Sequence, residues 1–287
     1  MIGAVARPSD PRSRIAPVAR NEASLDVPGR RPARGAWRSY VALGDSFTEG
    51  VGDPDPATGI ERGWADRLAA ALAREEPDVE YANLAIRGLL LDRILATQVP
   101  AAVRLAPDLV SICAAGNDLL RPAADPDALA ERLEGAVATL RATGADVLVF
   151  TGFNTRESPL LNLIARRLAA MNQHIREIAE RQGAYLVDLW VMPPLADARA
   201  RTDDRLHLNA AGHAKVAARA CEVLGLPPEE DWRAPWPPAE PTTWTGRRSE
   251  DARWAREHLW PWVQRRAQGR STGDHRPPKR PQLARLP

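Results

Sequence analysis

Five short, almost continuously apolar runs punctuate the middle of the chain and set the limits on its fold. They are SYVALG (39–44), VEYANL (79–84), DLVSICA (108–114), DVLVFTG (146–152) and AYLVDLW (184–190). A strand with one wet face alternates apolar and polar residues. A near-continuous run instead marks a strand covered on both faces, as in parallel sheets. Amphipathic helical patterns lie between the runs. Trp64, Leu68, Ala71 and Leu72 share one face of a helix predicted over 61–76. Asp125 followed by Pro126 reads as an N-cap and first helical residue; Leu129, Leu133, Val137 and Leu140 then share a face, and Gly144 ends the pattern. Leu161, Ile164, Leu168, Met171, Ile175 and Ile178 make the longest stripe, ended near Gly183, and Asn209 can cap a last helix that stops at Gly225. Strands alternating with helices predict an α/β fold: an open three-layer α/β/α sandwich with a five-stranded, mostly parallel sheet.

This pattern fills only part of the 287 residues. Residues 1–36 are rich in Pro, Arg and Ala without periodicity and read as a disordered basic arm. Residues 37–227 hold the α/β domain. Residues 228–268 form a Trp/Pro/Arg-rich extension with six of the nine tryptophans (Trp232, Trp236, Trp244, Trp254, Trp260 and Trp262) and a short helix beginning at Ser249. Residues 269–287 read as a disordered tail. The formal charge of +2 hides basic ends around a mildly acidic middle, a distribution that solvated arms explain. Cys113 and Cys221 both fall in apolar patterns and read as core residues rather than a disulfide. The N-terminal stretch lacks an apolar segment of signal-peptide length, and nothing reaches eighteen consecutive apolar residues. Cytoplasmic is therefore the expected location.

In open parallel sheets, reactive groups collect outside the carboxyl ends of the strands, and Ser46, Asn117 and Asn154 all follow predicted strands. A serine hydroxyl needs a base to become a nucleophile, and the base needs an orienting acid. Of five histidines, His258 and His275 lie in the tail, His174 flanks a helix stripe, and His213 falls inside the last helix, where a solvent-facing or packing role is expected. His207 differs, standing in the polar loop TDDRLHLNAAGH just before that helix. Asp204, three residues earlier, can face His207 on a tight turn, take its Nδ1 hydrogen and leave Nε2 for the serine proton. Asp203 is an alternative partner whose spacing fits a turn less well.

Four motifs then occur in order: GDSFTEG (44–50), Gly88 in NLAIRG (83–88), GND (116–118) and DRLH (204–207). Together they resemble the four sequence blocks of the SGNH hydrolases, the GDSL esterase/lipase family, over roughly residues 38–226. The resemblance implies a flavodoxin-like sandwich and a serine esterase that needs no cofactor. It implies Ser46 as nucleophile, His207 as general base and then acid, and Asp204 as its orienting carboxylate. It also implies an oxyanion hole built from the backbone N–H groups of Ser46 and Gly88 with the side-chain amide of Asn117. Asp45 and Asp118 belong to the same motifs and are expected to hold turns through bonds to backbone. The G-x-S-x-G elbow of ordinary α/β-hydrolases is absent. After Gly88, LLLDR replaces the small polar residue of many relatives, implying a more apolar pocket lip.

The expected function is hydrolysis of small-molecule carboxylic esters through an acyl-enzyme on Ser46. An acyltransferase using an alcohol or sugar acceptor at the same site is the first alternative. A second, of another class, is a membrane- or nucleic-acid-binding protein acting through the Trp/Arg tail. Packing of those tryptophans on the domain is preferred to it, so no nucleic-acid partner is expected and the tail is allowed only a weak membrane-surface contact. A divalent-ion cluster of Asp203, Asp204, His207 and His213 is the rival for the loop, without a supporting metal motif.

Overall fold

The computed structural model describes residues 37–154, 164–237, Arg253, 256–257 and 272–286. The basic arm, Leu161, most of the helix expected from Ser249, and Trp244, Trp254, Trp260 and Trp262 lie outside them.

All five predicted strands are present: β1 (Ser39–Gly44), β2 (Glu80–Asn83), β3 (Leu109–Cys113), β4 (Asp146–Phe150) and β5 (Tyr185–Val187). They pair in parallel in the order β5-β4-β3-β1-β2. Alternation along β1 shows why its run is continuous. Val41 and Leu43 point into one core and Tyr40 and Ala42 into the other. The first core lies under α3 (Leu91–Leu105), α5 (Pro126–Ala142) and α6 (Ala165–Gln182), and the second under α2 (Gly63–Glu75) and α8 (Ala210–Leu224). Fully burying each Val or Leu of such a strand contributes about 1.5–3 kcal/mol. Two short helices, α1 (Ser46–Glu49) and α4 (Gly116–Leu119), start just beyond β1 and β3, and a third, α7 (Pro193–Ala196), follows β5.

The helix ends follow their local chemistry. Asp125 accepts from Asp127 N–H, with Pro126 in the first turn of α5, and Asn209 accepts from Gly212 N–H at 3.0 Å to cap α8. Gly183 and Gly225 close α6 and α8 in the left-handed conformation. Helix α3 is absent from the sequence-based scheme because Pro100 sits inside it, where it removes a backbone donor.

The larger departure is at the C-terminus. Residues 280–285, expected to be disordered, form β6 (Arg280–Arg285), antiparallel to β2. The sheet thus has six strands, five of them parallel. The run RPQLAR has no apolar pattern because an edge strand in solvent needs only backbone pairing to join a sheet. In the Trp-rich extension, Trp232 and Trp236 pack on the domain. Trp232 Nε1 donates to Glu222 beneath the Arg233 guanidinium, and Trp236 Nε1 donates to Pro194 O at 2.9 Å. Among the described residues, no helix is long and apolar enough to cross a membrane.

Candidate active site

The order β2-β1-β3 makes a topological switch: the chain leaves β1 with one neighbour formed earlier and one later in its winding. Open α/β sheets hold their ligands outside the carboxyl ends of the strands at such a switch. Ser46 lies just past the end of β1 and Asn117 just past the end of β3.

The turn that carries Ser46 is tightly specified. Gly44 ends β1 at φ +152°, and a Cβ there would stand 2.5 Å from both Cys113 O and Thr48 Oγ1. Gln98 of α3 clamps this glycine, accepting from its N–H at 2.8 Å and donating to its carbonyl at 2.9 Å. Asp45 then caps α1, Oδ1 accepting from Phe47 N–H at 3.1 Å. Ser46 follows as the first helical residue. Burial pushes the Asp45 carboxyl up to about 6, although the Phe47 N–H and the nearby His207 ring pull the other way.

The acid–base pair occupies the loop before α8. His207 Nδ1 lies 2.6 Å from Asp204 Oδ2. The other oxygen, Oδ1, accepts from Leu206 N–H, His207 N–H and Thr202 Oγ1 at 2.7–2.9 Å. Thr202 N–H bonds back to His207 O, and Arg205 takes φ +58° to close the turn. A carboxylate at Nδ1 holds the proton there, which leaves Nε2 as the basic nitrogen. Partial burial alone would raise the Asp204 pKa, but these hydrogen bonds and the imidazole hold it well below the usual carboxylate range. Asp204, not Asp203, is thus the partner of His207.

On the side where the resemblance places the oxyanion hole, Gly88 takes φ +75° in the loop after β2. Asn117 Nδ2 donates to Asp45 Oδ2 at 2.9 Å and to Leu89 O at 3.0 Å, so both amide hydrogens are engaged. Reaching an oxyanion requires Asn117 to exchange or share one of these bonds. Asp45 holds its own turn as expected, accepting from Phe47 N–H. Asp118 Oδ2 instead accepts from Leu91 N–H at 3.0 Å and so ties the GND segment to the start of α3.

The two halves meet behind the loop. A Cβ on Gly52 would stand 2.2 Å from Leu208 O, so the segment after α1 lies directly on the His207 loop. His213 seals this contact: its Nδ1 accepts from Trp64 N–H, and its Nε2 faces Val51 O at 3.3 Å. Burial pulls its pKa down to about 4, so it stays neutral. His213 is thus a packing residue, and among the described residues no ion-holding cluster forms with Asp203, Asp204 and His207. Among the described residues, no hydrogen bond joins Ser46 Oγ to His207. Bonds between a nucleophile and its base are often long until substrate tightens them.

One connection escaped the sequence reading. Glu49, at the end of α1, accepts from Arg87 N–H at 2.6 Å and from the Arg87 guanidinium at 2.6 and 2.9 Å. It ties the Ser46 helix to the residue before Gly88. Its signal lay in the acid of GDSFTEG and the arginine of NLAIRG, which sequence spacing does not connect.

Residues 42–215 match the model of the GDSL-like lipase/acylhydrolase family. The chain belongs to that family. It is accordingly a serine hydrolase of carboxylic esters with the SGNH fold. Solved structures agree on the fold. An acetylxylan esterase, Axe2 from Geobacillus stearothermophilus, is 20% identical, with a TM-score of 0.55 over 69% of this chain and 97% of its own. The esterase EstA from Pseudoalteromonas sp. is 18% identical, TM-score 0.53, over 66% and 97%. TesA is 24% identical, TM-score 0.54, over 65% and 97%. No curated protein sequence matches the chain.

Proposed function

We propose that this GDSL-family hydrolase cleaves small-molecule carboxylic esters through an acyl-enzyme on Ser46. The observation that carries the reading is the Asp204–His207 pair, 2.6 Å apart, on a loop packed against the segment that follows Ser46. His207 Nε2 takes the Ser46 proton as Oγ attacks the acyl carbon, and Asp204 stabilises the resulting imidazolium. Negative charge then collects on the former carbonyl oxygen. The N–H groups of Ser46 and Gly88 face it, and the Asn117 amide swings a hydrogen from Asp45 or Leu89 toward it. His207 returns its proton to the leaving alcohol. Water then repeats the cycle on the acyl-enzyme, with His207 as base. The attacking electron pair comes first from Ser46 Oγ and then from water, and His207 carries the proton in both steps.

The test is hydrolysis of short p-nitrophenyl esters by wild type and Ser46→Ala. Loss of about 1,000-fold or more in kcat is expected for the variant. Retained activity would remove Ser46 from its role.

A further inference from the structure

The C-terminal segment 272–286 lies outside the family match, which ends at 215, yet it touches the candidate site from behind at three points. First, β6 pairs with the outer edge of β2, the strand that leads into the Gly88 loop. Second, a Cβ on Gly273 would stand 2.0 Å from Arg87 O and 2.9 Å from Ile86 Cγ2, so the backbone at Gly273 rests directly on the residues before Gly88. Third, Lys279 reaches inward with its side chain 11% exposed. Its ammonium donates to Glu49 O at 2.6 Å, to Glu61 O and Arg62 O at 2.8 Å, and to Asp66 Oδ2 at 2.5 Å. Three hydrogens serve four acceptors, so one is shared. Arg276 Nη1 adds an ion pair, 3.7 Å from Glu49 Oε1.

These contacts converge on Glu49 and Arg87, which join the Ser46 helix to the Gly88 loop. The last carbonyls of a helix lack intrahelical partners. Lys279 satisfies the one at Glu49 while neutralising Asp66 in a part-buried setting. Paired, buried charges are held in a single geometry because separating them leaves an unpaired charge out of water. The segment therefore does more than cover an edge: it locks together the two backbone elements whose N–H groups face the reacting carbonyl.

We propose that residues 272–286 are a positioning strap for the active centre, with Lys279 and Gly273 as its positioning residues. They set the distance between the Ser46 and Gly88 amides without touching substrate. This rests on the reading of Ser46 and Gly88 given above. Displacement of such donors by about an ångström costs up to about 100-fold in rate.

The experiment uses the full chain with Lys279→Met, Gly273→Ala and Arg276→Ala, and with Ser46→Ala as control. Each is assayed for kcat and KM on a p-nitrophenyl ester and for the rate of fluorophosphonate labelling, with near-ultraviolet circular dichroism as the check on folding. For Lys279→Met and Gly273→Ala, kcat and labelling rate should both fall about 10-fold or more, with KM within about two-fold of wild type. Arg276→Ala, on an exposed side chain, should show the same split at smaller size. Folded Lys279→Met or Gly273→Ala with wild-type kcat would overturn the proposal. So would loss of the fold in all three variants while Ser46→Ala folds, since the strap would then support the fold rather than the site. If Ser46→Ala itself keeps activity, the fault lies in the reading of the nucleophile and not in the strap.

Discussion

Asp204 and His207 sit three residues apart on one loop, whereas Ser46, Gly88 and Asn117 come from the ends of three different strands. The acid–base half is held by bonds inside a single turn: Thr202, Leu206 and His207 itself all donate to Asp204. The proposed oxyanion half is held by contacts between distant parts of the chain, Asn117 to Asp45, Arg87 to Glu49 and Lys279 to Glu49. A locally built group tolerates shifts of the scaffold around it. A group assembled from separate strand ends depends on every element that keeps those ends in register.

Breaking the local half should produce the largest effects. His207→Ala removes the base, and kcat on an ester substrate should drop by on the order of a million-fold. Asp204→Asn keeps the turn but loses the charge that fixes the imidazole tautomer, with an expected loss of about 10,000-fold. Combining the two should cost little beyond His207→Ala alone, because residues acting as one unit are not additive. In the distributed half, Asn117→Ala should lower kcat by about 100- to 1,000-fold with little change in KM, the signature of a donor used in the transition state. A KM effect alone would make Asn117 a binding residue and remove it from the oxyanion hole.

The smallest effect concerns Asp45, which links Asn117 to the Ser46 helix. Its folded pKa of about 6 lies above the ordinary carboxylate value, so the folded state holds a proton that the unfolded chain releases. Stability contributed by that proton is present at low pH and is lost as pH rises from about 4 to 6. Asp45→Asn has no such titration. Its stability relative to wild type should therefore rise across that window, by up to about 3 kcal/mol. Urea unfolding of both proteins at several pH values reads this slope. Parallel pH curves would show that Asp45 does not titrate there.

The same contrast explains what could be read from the residues alone. Strands such as SYVALG and the caps Asp125 and Asn209 are written in local pattern, and all appear where that pattern places them. The Asp204–His207 spacing is legible in part, since residues three apart can face one another on a turn. The choice of Asp204 over Asp203 is made by the 2.6 Å bond to His207. Helix α3 escaped because Pro100 interrupts its pattern, although packing of Leu91 and Ile94 outweighs the missing bond. Strand β6 escaped because its partner is a backbone edge far earlier in the chain (Glu80 pairs with Arg285). Nothing in GDSFTEG announces that its glutamate grips Arg87, or that its aspartate engages the amide of Asn117. Such bonds are created by topology and become visible only when the strand ends are brought together.

The most direct measurement is fluorophosphonate labelling of the full chain, with the adduct mapped by mass spectrometry. An activated serine beside a working oxyanion hole should take one adduct per chain, on Ser46, and Ser46→Ala should take none. An adduct on another residue, or undiminished labelling of Ser46→Ala, would contradict the assignment of Ser46 as the nucleophile.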